Sequence, residues 1–130
     1  MTPEAGLFLD KAHKALAEAE AVLAIELFEA AGRAAYLAAF HAAQAWISEQ
    51  TGRSVKTHRG VQGELYRMTK DSADLDPDLR AFLSRGYDLK AVADYEIGPD
   101  AQTSPEEARI ALLQAKRFVA YFSVKLGYAG

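Results

Sequence analysis

A chain of 130 residues, half of them hydrophobic and a quarter charged, has the composition of one folded domain over residues 1–130. The absence of cysteine excludes disulfides, thiolate metal centres and cysteine nucleophiles together. A net charge of −3 argues against indiscriminate nucleic-acid binding, and no signal pattern or long uncharged apolar run is present, so a cytoplasmic protein without a membrane partner is expected.

Alanine is abundant and β-branched residues are sparse, a composition that favours helix nearly throughout. The first helix is predicted from Pro3 to about Leu23, with Thr2 as cap and Phe8, Ala12, Ala15, Leu16, Ala19 and Leu23 on one stripe. A second runs from about Leu27 to Gln50 and stops at Gly52. A short third helix, His58 to about Met68, starts behind Thr57 and contains Gly60 and Gly63, which weaken it. The fourth begins with Asp76-Pro77 and reaches Tyr95, before Gly98-Pro99. Ser104-Pro-Glu-Glu107 is a capping box for a fifth helix, which runs to about Leu126 and buries Ala111, Ala115, Phe118, Phe122 and Leu126. The expected fold is all-α: an antiparallel four-helix bundle with one additional short helix.

Charge alternates along this frame. Residues 1–31 hold six acidic and two basic groups, whereas residues 32–70 hold two acidic and six basic ones. The middle of the chain is therefore the candidate for steering an anionic partner. Helical spacing also places Arg33 within the stripe of Tyr36, Leu37, Phe40 and Ile47, with Gln44 on that face and His41 at its edge. The fourth helix aligns Leu83, Tyr87, Ala91 and Asp94, with Lys90 beside them and Tyr95 at the edge. A charge in an apolar stripe needs a partner, so Arg33 and Asp94 are expected to pair across facing helices in a polar seam with Tyr36 and Tyr95. Phe82, Leu89 and Ala93 form a second apolar side on the fourth helix, which asks for cover from a second copy of the chain or from the short helix.

These residues also carry a resemblance. The run Arg33-Ala-Ala-Tyr36-Leu-Ala-Ala-Phe40-His41-Ala-Ala-Gln44-Ala45 resembles the second-helix signature of HEPN-domain proteins. Lys56-Thr57-His58-Arg59-Gly60-Val61 and Asp94-Tyr95 match further segments of a prokaryotic HEPN branch, in the same order. The resemblance implies a helical bundle, frequently dimeric, often encoded beside a minimal nucleotidyltransferase in a toxin–antitoxin-like pair. Active members are metal-independent endoribonucleases that use an arginine and a histidine a few residues apart. Arg53 and His58 have that separation, but they lie in the loop and first turn that open the short helix. In the later region where the nuclease motif belongs, this chain has Lys90-Ala-Val-Ala-Asp94-Tyr95 and no histidine.

The functional expectation is a HEPN-type module that binds RNA or nucleotide phosphates, forms a homodimer and acts with a nucleotidyltransferase-like partner. Its phosphate-holding residues would be Arg33, Lys56, Arg59 and Arg67, with Tyr36 as a ring for base stacking. In an active endoribonuclease, one alternative, His41 or His58 would be the acid/base. The other alternative is a helical scaffold whose Arg33–Asp94 pair only locks the bundle. No metal or cofactor is expected: three scattered histidines make no ligand motif, and no phosphate-binding glycine loop is present.

Overall fold

Thr2 accepts a hydrogen bond from the Ala5 N–H and opens α1, Pro3–Ala24, in the computed structural model, which describes residues 1–99 and 101–129. The other helices are α2, Phe28–Thr51; α3, His58–Thr69; α4, Pro77–Tyr95; and α5, Pro105–Lys125. Four sequence signals close on their predicted partners. Thr57 accepts from Gly60 N–H, Asp76 from Asp78 N–H, Ser104 and Glu107 form the reciprocal capping box, and Gly52 ends α2 at φ 70°. The described residues contain no strand, and no helix is long and apolar enough to cross a membrane.

α2 occupies the middle. It packs against α1, α4 and α5, while α3 lies across α2 and α4. Its alanines explain how one helix can face so many neighbours: Ala31, Ala34, Ala35, Ala38, Ala39, Ala42, Ala43 and Ala45 are all buried and let the other helices approach closely. The single apolar stripe expected for α2 is thus a nearly complete apolar cylinder. The second apolar side of α4 is covered within the chain, because Phe82 is buried and Leu89 packs on Gly32 of α2. An unpartnered α4 face therefore gives no reason for a second copy.

The α1–α2 turn is the one junction that composition left unmarked. It is a Schellman turn: Glu26 N–H donates to Leu23 O and Leu27 N–H to Val22 O, with Glu26 at φ 63°. The same turn after α5 is built with Gly127 at φ 66°, its N–H donating to Val124 O and that of Tyr128 to Ser123 O. A glutamate in the left-handed region costs about 1 kcal/mol relative to glycine. Glu26→Gly is accordingly expected to stabilise the protein by about 1 kcal/mol in urea unfolding. A loss of stability would show that the Glu26 side chain contributes more than its backbone costs.

Candidate functional site

The polar residues of α2, α3 and α4 meet along one seam, in two connected clusters. Arg33 Nε donates to Asp94 Oδ1 at 2.8 Å, the predicted pair between facing helices. The same carboxylate takes Lys90 Nζ on Oδ2 at 2.8 Å, and Lys90 also donates to the Tyr95 hydroxyl at 3.2 Å, with the Tyr95 ring 4.7 Å away. Arg33 was expected to be the embedded cation, and that is corrected: its side chain is 46% exposed, whereas that of Lys90 is only 9% exposed. Arg33 lies near the start of α2, where its long side chain can reach past the last turn of α4 into water. The Lys90–Asp94 spacing of four residues was the available sequence signal for the true buried charge. Asp94 is held below the usual carboxylate range, chiefly by the Lys90 hydrogen bond. Lys90 is raised by the same bond.

The second cluster centres on Tyr36, which is fully buried. Its hydroxyl shares a 2.7 Å hydrogen bond with His58 Nδ1. His58 is the first residue of α3, and its ring is turned inward to lie 4.8 Å from Phe40, 5.2 Å from Tyr87 and 5.6 Å from Tyr36. Gly86 makes this possible from the α4 side, since a Cβ there would stand 3.0 Å from the Tyr36 ring. Burial pushes the Tyr36 phenol well above its ordinary value. Burial, then the positive charge of Lys90, lowers His58. His58 is thus a neutral imidazole at pH 7, with Nδ1 engaged by the Tyr36 hydroxyl.

Two sequence assignments change here. Tyr36 cannot stack a nucleobase, because no part of it is accessible. Neither Tyr36 nor Tyr95 bonds directly to the Arg33–Asp94 pair: Tyr36 turns to His58 and Tyr95 to Lys90. His41 serves the loop after α2. Gln44 Nε2 donates to Val55 O at 2.9 Å, so its Oε1 must accept, and His41 Nδ1–H is the donor at 2.8 Å. Burial lowers His41 as well. His13 bonds Ser123 and stacks on Tyr128, tying α1 to α5 far from this seam.

The basic residues sit on the outer side of the site. Lys56 and Arg59 are exposed. Arg67 is exposed too, but it forms a tight ion pair with Glu64, and the same carboxylate faces Arg53 at 3.5 Å. Arg53 therefore turns toward Glu64 rather than joining His58 in an arginine–histidine pair. From Arg53 to Lys70, five cations face one carboxylate. Among the described residues no group of three or more His, Asp or Glu side chains is arranged to hold a metal.

In this helical bundle Arg33 and Tyr36 of the second helix share a polar seam with His58 of α3 and Asp94 of α4, three segments in which the sequence carries its resemblance, and the HEPN domain model matches residues 5–125. The chain belongs to the HEPN domain family. It is 35% identical over 94 residues to a UPF0332 protein of Archaeoglobus fulgidus, covering 72% of this chain and 74% of that protein. The crystal structure of TT1696 from Thermus thermophilus superposes with a TM-score of 0.78, covering 95% of this chain and 99% of the other. At 22% identity that likeness defines the fold alone.

Proposed function

We propose that this protein is an RNA-binding HEPN module whose binding face is α3 with the loop before it. In this reading Lys56, Arg59 and Arg67 hold phosphates, and the exposed Arg33 extends the face toward α2. The observation that carries the reading is the excess of exposed cations between Arg53 and Lys70 on a chain that is acidic overall. The module acts as a homodimer with a nucleotidyltransferase-like partner, in a toxin–antitoxin type of pair. Support for that part is the resemblance of the α2, α3 and α4 segments to HEPN proteins so encoded.

A second reading, a metal-independent endoribonuclease, is favoured by one observation. His58 is neutral and fixed through Nδ1; in the tautomer whose Nδ1–H donates to the Tyr36 hydroxyl, Nε2 has a free lone pair, as a general base requires. One assay tests both. Filter binding of a structured RNA by the parent should weaken steeply as salt rises, because phosphate contacts release counterions. Arg59→Glu with Arg67→Glu should remove that salt-sensitive binding while stability changes by no more than about 0.5 kcal/mol per exposed site. Binding equal to the parent would place the site elsewhere. Cleavage by the parent that disappears in His58→Ala, with binding retained, would establish the nuclease reading.

A further inference from the structure

We infer that the outer face of α3 is a platform for single-stranded RNA, with Tyr66 as the base-stacking ring and Gly63 as the point where the RNA backbone lies closest to the helix. The inference rests on the RNA-binding reading above and adds the strand state of the ligand and the residues that recognise it.

Arg59, Gly63, Tyr66, Arg67 and Lys70 are all exposed, and their spacing places them on one side of α3. Arg59 and Arg67 stand about 12 Å apart along the axis, with Gly63 midway. Tyr66 is 58% exposed, although a tyrosine offers enough apolar surface to be drawn inward. Its ring is held in place by Arg80, whose guanidinium lies 5.9 Å from the ring centroid. Arg80 in turn donates from Nη2 to Thr69 O at 2.6 Å and from Nε to Thr69 Oγ1 at 3.1 Å. An exposed aromatic ring beside an anchored cation and flanked by exposed cations, Arg59 and Lys70 unpaired by any described carboxylate and Arg67 shared with Glu64, is the equipment of single-strand recognition. Duplex RNA keeps its bases stacked and leaves such a ring nothing to take. A cleft of about 320 Å³ opens beside the ring, lined by Gln62, Tyr66, Arg80, Leu83 and Ser84 among others.

Gly63 supplies the independent observation. The other α3 glycine has a packing reason, because a Cβ on Gly60 would stand 2.6 Å from Thr57 Oγ1 and 2.9 Å from Val55 Cγ1. A Cβ on Gly63 would meet nothing within 4 Å. A glycine in the middle of a helix weakens it, and among the described residues nothing packs close enough to this one to require it. The open position leaves room for a strand to lie against the helix backbone, between two cations and beside a ring.

The test uses a short single-stranded oligoadenylate and its duplex with oligouridylate, titrated against the full chain by fluorescence anisotropy. The parent should prefer the single strand. Tyr66→Ala should weaken that binding about tenfold with an unchanged salt slope, and Tyr66→Phe should bind as the parent does. Gly63→Ala should raise the melting temperature and yet weaken binding, a pair of signs that a merely structural glycine would not give. If Tyr66→Ala binds oligoadenylate as the parent does, or if the duplex binds equally well, the stacking platform is wrong while phosphate binding stands. Oligoglutamate bound as tightly as oligoadenylate would mean that the face takes an acidic protein segment instead. A parent that binds neither RNA fails the underlying RNA reading as well.

Discussion

Tyr36→Ala is expected to cost about 3–5 kcal/mol in urea unfolding, the range for removing a large ring from a closed core. The ring is fully buried and touches Phe40, Tyr87 and His58, so its loss opens a void bounded by three helices. Neither α2 nor α4 can close that void, because the remaining contacts of α2 with α1 and α5 hold it in place. Tyr36→Phe keeps the ring and removes only the hydroxyl, which leaves His58 Nδ1 without its partner, at a cost of about 1 kcal/mol. The two variants separate packing from hydrogen bonding. The parent should also lose stability in acid. His58 is lowered in the folded state, so below about pH 6.5 the unfolded chain binds its proton first and stability drops as the pH drops. In Tyr36→Ala, where water reaches His58, that slope should be shallower. A Tyr36→Ala variant losing less than about 1 kcal/mol would mean that the site collapses around the missing ring.

The helices were legible because their ends are written in local chemistry. Asp76-Pro77, Ser104-Pro-Glu-Glu107, Thr57 and Gly52 each act on backbone groups within a few residues. The α1–α2 break falls within one residue of its predicted place, but its turn geometry was not legible, because a glutamate occupies the left-handed position that usually announces itself with glycine. The Arg33–Asp94 pair could be anticipated, since each is a charge set in an apolar stripe. Which cation is buried could not be read from that pattern. Periodicity gives the direction of a side chain, whereas burial depends on which helix ends nearby; Arg33 lies beside the last turn of α4 and Lys90 one turn further in. Tyr36 and Tyr66 show the same limit. Both are tyrosines on predicted helices, but α2 is enclosed on several sides and α3 is not, so one becomes core and the other surface. That distinction belongs to the packing of whole elements, and no window of the sequence contains it.

Asp94→Ala should destabilise the protein by about 1–2 kcal/mol, a value reduced from the buried-pair range because the outer end of the seam reaches water. The loss falls on Lys90 rather than Arg33. Arg33 is half exposed and stays solvated when its partner is removed, whereas Lys90 is buried and keeps only the Tyr95 hydroxyl. An ammonium left in that position is the dominant cost. Replacing both members removes it: Asp94→Ala combined with Lys90→Met should recover most of the lost stability, because an unbranched apolar side chain can follow the lysine stem. Lys90→Met alone should cost little, since Arg33 continues to satisfy Asp94. The double-mutant cycle therefore predicts strong non-additivity between residues 90 and 94 and additivity between Lys90→Met and an Arg33→Ala change made with Asp94 already absent. Equal losses for Asp94→Ala in the parent and in the Lys90→Met background would refute a stranded lysine and return the seam's stability to the Arg33 pair.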